Sequence, residues 1–287
     1  MTVCRACAKR PAMPELPEVE TTVRGLARHL DGAHITGVTL TRPDMRFPFP
    51  PGLAEALTHA RVTGLSRRAK YGLIHTEGAD GCARSLIFHL GMSGRWRINP
   101  PELGRHDHMV IETADHRFAL HDPRRFGFVD LAETGALDAW PAFAALGPEP
   151  LGPSLDVEHL SRAFRGRKQA VKLLLLDQKI VAGLGNIYVC EALFAARISP
   201  RKAAGRLFRP ALGRLVPAIR AVLEAAIAQG GSTLRDFAGP DGQLGYFATQ
   251  FAVYGREGQP CTRCEHGIVR RIVQGGRSTW YCPSCQV

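Results

Sequence analysis

Four cysteines near the C-terminal end constrain this chain more than any other feature. Cys261-Thr-Arg-Cys264 and Cys282-Pro-Ser-Cys285 stand 17 residues apart. Two C-x2-C knuckles at that spacing can set four thiolates tetrahedrally around one Zn2+. The segment is too small to hold itself together by an apolar core, so metal binding would supply its folding energy. Two redox pairs or free thiols are the alternative. Between the knuckles, "EHGIVRRIVQGGRSTWY" alternates apolar residues around Gly275–Gly276. That pattern predicts a β-hairpin with Arg277 at its tip. Such an arginine is a phosphate probe, or else an ordinary surface residue on a structural ribbon.

The charge distribution separates the chain into unlike halves. Residues 14–150 hold 15 basic and 17 acidic residues, whereas 151–287 hold 19 and 9, and residues 1–13 add three positive charges. A basic half beside a near-neutral one suits a protein that grips a polyanion with one part. A solvated basic surface would look the same. No apolar run reaches the ~18 residues of a membrane span, and the first residues lack the apolar stretch of a secretory signal. The expected setting is therefore the reducing cytoplasm, with disulfides disfavoured.

The elements follow from periodicity. Val19, Val23, Leu26 and Leu30 mark a helix over 17–31, stopped by Gly32. Short β-rich runs punctuated by Gly, Asp and Pro then predict a β-sandwich or barrel. "LGPEPLGPS" (146–154) reads as a linker. Beyond it "DVEHLSRAFRG", "QAVKLLLLDQKIVAG", "NIYVCEALFAARI" and "LGRLVPAIRAVLEAAIAQGG" predict four helices, with Pro217 shortening or kinking the last at its start. Residues 231–260 read as a long polar loop.

Three short stretches could carry chemistry. In "GLGNIY" (183–188), Asn186 is a natural N-cap, and the free N–H groups of a helix start bind phosphate readily; a tight turn between packed helices is the plainer reading. "HDPRRFGF" (121–128) shows Arg124, Arg125 and Phe126 on one turn, and "HLGMSG" (89–94) shows Met92 between glycines. Either could wedge into a base stack or pack a strand end. "MPELPEVE" (13–20) reads like a start. An internal proline nitrogen is an inert amide, but an N-terminal proline is a secondary amine with basicity near ~8. It could attack a sugar C1′ and form an iminium, with Glu15 as proton donor. If the chain instead starts at Met1, "PELPE" is only a helix turn with helpful acids.

Taken together, "MPELPEVET", "RRAKY", "HLGMSG", "HDH", "DPRRFG", "GLGNIY" and the four-cysteine finger resemble, in order and over 13–287, the formamidopyrimidine-DNA glycosylase family. The resemblance implies an α+β chain of an N-terminal β-sandwich with a long helix, a helix–two-turn–helix domain and a zinc-finger hairpin. The expected partition is 14–147 for the sandwich, 148–155 for the linker, 156–240 for the helical domain with a lesion loop to about 252, and 253–287 for the finger. Residues 1–13 would be absent from the working protein. The resemblance implies a monomer that acts on damaged double-stranded DNA, removing oxidised purines and cutting the strand by β,δ-elimination.

By the same resemblance Pro14 is the Schiff-base nucleophile and Glu15 the proton donor. Lys70 grips phosphate and serves β-elimination, and Arg277 holds the lesion phosphate for δ-elimination. Met92, Arg124 and Phe126 fill the gap left by the everted nucleotide. His106, Arg167, Lys168, Asn186 and Tyr188 contact DNA, and the loop around 233–247 folds over the damaged base. Cys261, Cys264, Cys282 and Cys285 hold one structural Zn2+. Two alternatives stand beside this: a non-catalytic zinc-finger DNA-binding protein if residues 1–13 are retained, and a pyrimidine-directed, endonuclease VIII-like glycosylase.

Overall fold

The computed structural model of the protein describes residues 13–232, 240, 245, 247–264 and 266–287. Residues 1–12 and most of the expected lesion loop lie outside this set. The first element is helix α1 (Leu16–Leu30), whose Val19, Val23, Leu26 and Leu30 are buried against a β-sandwich. Leu16, one turn earlier, is buried in a different core, that of the helical region. Helix α1 therefore stitches the two halves together at the residues following Pro14.

Eight antiparallel strands make the sandwich: β1 (Ile35–Leu40), β2 (Arg61–Arg68), β3 (Tyr71–Glu77), β4 (Ala83–His89), β5 (Arg95–Ile98), β6 (Asp107–Thr113), β7 (Arg117–His121) and β8 (Phe128–Glu133). One sheet runs β1-β6-β7-β5 and the other β2-β3-β4-β8. Alternation along the strands delivers Ile74, Leu86, Phe88, Trp96, Ile111 and Phe118 to the space between them. Short helices α2 (Leu53–Leu57) and α3 (Pro141–Ala144) sit at the margins.

The helical half comprises α4 (Val157–Phe164), α5 (Val171–Leu175), α6 (Asn186–Ala195) and α7 (Arg209–Ala228). The expected helix over 169–183 stops after five residues. Asp177 accepts the Lys179 N–H, and the Gln178 side chain donates to Leu176 and Leu184 carbonyls while accepting from Gly183 N–H. These side chains replace helical bonds and fold the chain into a double turn. Pro217 neither shortens nor ends α7, which runs 20 residues through it. The carbonyl it leaves without a donor belongs to Gly213, and both residues lie on the solvent face, where water serves instead.

Strands β9 (Arg270–Gln274) and β10 (Arg277–Tyr281) form the expected hairpin, with Gly275 and Gly276 both at positive φ in the turn. No described helix is long and apolar enough to cross a membrane.

Candidate active site and nucleic-acid interface

Pro14 and Glu15 are buried where α1 begins. Two neighbours, Gly185 and Glu18, decide what Glu15 can do. Its carboxylate reaches across the fold to the start of α6 and accepts the Ile187 N–H at 3.1 Å and, more loosely, the Tyr188 N–H at 3.5 Å. The expected capping by Asn186 is thus replaced by a carboxylate 171 positions away, and the anion at this helix N-terminus is the protein's own. The N-cap position is Gly185. A Cβ there would overlap the Glu15 carboxyl group, so the glycine is required for space, not for backbone freedom.

Burial dominates the chemistry of Glu15. Only 4% of it is exposed. Desolvation pushes its carboxyl up from 4.5 to about 7; Lys70 opposes this and Glu18 adds to it. Glu18 is buried too, but fully occupied. It accepts from the Glu15 N–H (2.9 Å), the Tyr188 hydroxyl (2.6 Å), and the N–H and hydroxyl of Ser232 (2.8 Å each). Two adjacent carboxyls are thereby given different tasks: Glu18 is a structural anchor, and Glu15 is a carboxyl able to hold or release a proton near neutrality. Tyr188, expected to touch DNA, has its side chain fully buried against Glu18, so its contribution is to the anchor.

Lys70 sits on the tight turn joining β2 to β3, after Ala69 at φ 53. Burial lowers its pKa, the Glu15 charge raises it and the Arg277 charge lowers it again. Glu15 and Arg277 are thus both near enough to Lys70 for their charges to act on its ammonium group. The turn itself is held by Glu149, a residue with no role assigned from the sequence. From inside the linker, Glu149 accepts from Arg67 Nη1 (2.8 Å), Arg68 Nη1 (2.9 Å) and the Ala69 N–H (2.6 Å). The linker is therefore also the clamp on the lysine-bearing hairpin.

Arg277 is exposed at the tip of the β9–β10 hairpin. The next residue pins that tip to the helical half. The Ser278 carbonyl accepts from Lys172 Nζ (3.2 Å) and Asn186 Nδ2 (3.0 Å), and Lys172 also donates to the Thr279 hydroxyl (2.5 Å). Lys172 is completely buried, with its pKa pushed down by desolvation. Glu191, 5% exposed, accepts the N–H groups of Ala252, Val253 and Tyr254 and so fixes the approach to the finger.

The four finger thiols lie within 4.8 Å of one another, with Cys261–Cys285 at 3.6 Å and Cys264–Cys282 at 3.8 Å. Tetrahedral Zn–S bonds of about 2.3 Å require sulfurs about 3.8 Å apart, whereas a disulfide requires about 2 Å. A Cβ on Gly267 would stand 2.7 and 2.8 Å from Cys282 and Cys264 Sγ, so the chain leaves that room for the metal cradle. The set fits one structural Zn2+ and not two redox pairs.

The expected wedge residues share one knot. Buried Asp122 accepts from the Ser93 hydroxyl (2.6 Å) and the Gly127 N–H (2.8 Å), and Ser93 in turn accepts the Arg124 N–H (3.2 Å). Gly91 packs directly on the Phe126–Gly127 backbone, where a Cβ would clash. From this knot project half-buried Met92 and 44%-exposed Phe126, with the Arg124 guanidinium 4.8 Å over the Phe126 ring. His106 is half-exposed beside them in sequence order, while Asp107 and His108 are buried. Arg167 and Lys168 are exposed in the loop between α4 and α5.

Comparison with known proteins agrees in each part of the chain. Family profiles match for the formamidopyrimidine-DNA glycosylase N-terminal domain over 13–129, the formamidopyrimidine-DNA glycosylase H2TH domain over 146–238, and a zinc finger found in FPG and IleRS over 258–287. A formamidopyrimidine-DNA glycosylase of Erythrobacter litoralis is 69% identical, covering 96% of this chain and 100% of the relative. Lactococcus lactis Fpg in complex with DNA containing an abasic site is 34% identical, with TM-score 0.86, over 95% of this chain and 99% of that one. The MutM (FPG) protein from Thermus thermophilus is 39% identical, with TM-score 0.84, over 95% and 98%.

Proposed function

The chain belongs to the formamidopyrimidine-DNA glycosylase family, and on that premise we propose how its own residues perform the reaction. It is a base-excision repair enzyme, a DNA glycosylase and abasic-site lyase with one structural Zn2+. Its lesion duplex spans the sandwich (14–147) and, beyond the linker (148–155), the helical domain (156–240) and finger (253–287). It works as a monomer in the bacterial cytoplasm.

A glycosylase cannot reach C1′ inside a stacked duplex, so the nucleotide is everted and the gap plugged. Met92 and Phe126 supply the plug, and Arg124 hydrogen-bonds the abandoned partner base. Lys70, His106, Arg167, Lys168, Asn186 and Arg277 line the backbone. The neutral amine of Pro14, as the first residue of the working chain, attacks C1′. The C1′–N bond breaks and the departing base takes a proton from Glu15; the C1′–O4′ bond then opens, O4′ taking the proton that the Pro14 nitrogen gives up. The resulting iminium acidifies the C2′ proton; its loss expels the 3′ phosphate, and a second elimination, served by Arg277, expels the 5′ phosphate. Lys70 acts as proton donor in the first elimination.

The observation that carries this reading is a buried proline beside a buried carboxyl that rests on the start of α6 and whose pKa burial raises to about 7. A solvated carboxyl would be ionised at neutral pH and could not give up a proton. Borohydride trapping tests it. Protein beginning at Pro14 is expected to form a covalent adduct with 8-oxoguanine duplex. Absence of an adduct, or an adduct formed equally by protein still carrying residues 1–13, would overturn the assignment to Pro14.

A further inference from the structure

Two loops outside the catalytic space lie edge to edge in the helical half. The Gly205 N–H donates to the Arg167 carbonyl at 2.9 Å and the Ala204 N–H to the Gln169 carbonyl at 2.9 Å, while Ala170 and Ala203 form an isolated β-bridge. A Cβ on Gly205 would meet the Arg167 backbone at 3.0 Å, so no side chain separates the loops. The joined surface continues to the finger. Val171 N–H donates to the Lys202 carbonyl at 2.8 Å, and Gln274 Nε2, beside the hairpin tip, to the Pro200 carbonyl at 3.1 Å.

This surface is cationic and unneutralised. Arg165, Arg167, Lys168 and Arg206 are all exposed, and no side-chain ion pair or hydrogen bond engages any of them among the described residues. At the far margin Arg209 is paired with Glu158 at 2.7 Å, which ends the band on that side. Between Arg206 and Arg209 stands Phe208, 77% exposed, the most exposed large apolar side chain described. An uncovered aromatic ring between cations is costly in water and useful against a sugar–phosphate surface, where the ring packs on sugar and the cations pair with phosphate.

We propose that this band, ending in Arg165, Arg206 and Phe208, is an auxiliary contact for the backbone of the duplex flanking the lesion. It rests on the function proposed above, and it adds affinity without touching the reacting nucleotide. Its continuity with Arg167 and Lys168, assigned to the lesion-proximal backbone, and its charge commit it to the same DNA.

The test compares an Arg165→Ala, Arg206→Ala, Phe208→Ser variant with the parent on duplexes bearing a central abasic analogue, one of about 12 and one of about 30 base pairs. Affinity is read by fluorescence anisotropy across a salt series. On the long duplex the variant should bind at least tenfold more weakly, and its slope of log affinity against log salt should fall by about 2, since each phosphate contact contributes about 0.9. On the short duplex, binding should match the parent. Equal losses on both lengths, or no loss on either, would overturn the flanking contact. Failure of the parent to bind either duplex would instead overturn the proposed function. All three positions are exposed, and an Arg206→Lys variant, expected to keep the salt slope, separates charge from folding.

Discussion

Glu15→Gln tests the burial argument without touching the amine. The carboxyl is pushed from 4.5 to about 7 by burial. That difference corresponds to about 3 kcal/mol at 1.36 kcal/mol per pH unit. The folded protein binds this proton more tightly than the unfolded chain, so the contribution favours the fold below pH 4.5 and is lost as pH rises through about 7. Glutamine is close in shape to the protonated acid and does not titrate. The two proteins should therefore be similarly stable at pH 5, and the variant should be more stable than the parent by about 3 kcal/mol at pH 8. For a chain of this size that is a relative shift in melting temperature of roughly 5–10 °C. In activity, base excision should fall by about 10²–10⁴-fold, the usual worth of a positioned acid. Strand cleavage at a preformed abasic site, where no base needs a proton, should persist. Parallel stability–pH curves for the two proteins would refute the reasoning, because they would mean the carboxyl titrates as it does in water.

Three further outcomes follow from the same geometry. Gly185→Ala puts a methyl into the Glu15 carboxyl; it should cost about 1–3 kcal/mol in denaturant titration and abolish excision more completely than lyase activity. Glu149→Gln weakens the charged acceptor shared by Arg67, Arg68 and the Ala69 N–H. We expect a stability loss of about 1.5–3 kcal/mol and a fall in the rate of strand cleavage with little change in affinity for undamaged DNA, measured by single-turnover assay and anisotropy. Chelation of zinc should release the finger hairpin to protease near β9 and β10 and sharply weaken lesion-DNA binding, with recovery on re-addition of Zn2+; unchanged proteolysis would show that the thiols do not hold the finger together.

Much of this protein was legible in its sequence wherever the cause is local. The finger could be read because its four thiolates and its Gly275–Gly276 turn lie within 25 residues. Helix α1 and the strands could be read because side-chain periodicity is set by backbone geometry one turn or one pleat at a time. The resemblance of seven short motifs carried the family and its reaction. The break in the helix at Asp177 and the survival of α7 through Pro217 were misread, since both depend on which face meets water and which side chain turns back on the backbone.

What only the tertiary structure decided is the state of the groups that do the chemistry. Glu15 acquires its proton affinity by being buried against the start of α6; Gly185 makes the room, and Glu18 fixes the neighbouring donors. Lys70 is aimed by a linker acid about 80 positions away, and Arg277 by a buried lysine from another domain. Side-chain type and spacing determine what a residue can do. Desolvation and long-range charge determine which proton it holds, and both arise only when distant segments pack and water is gone.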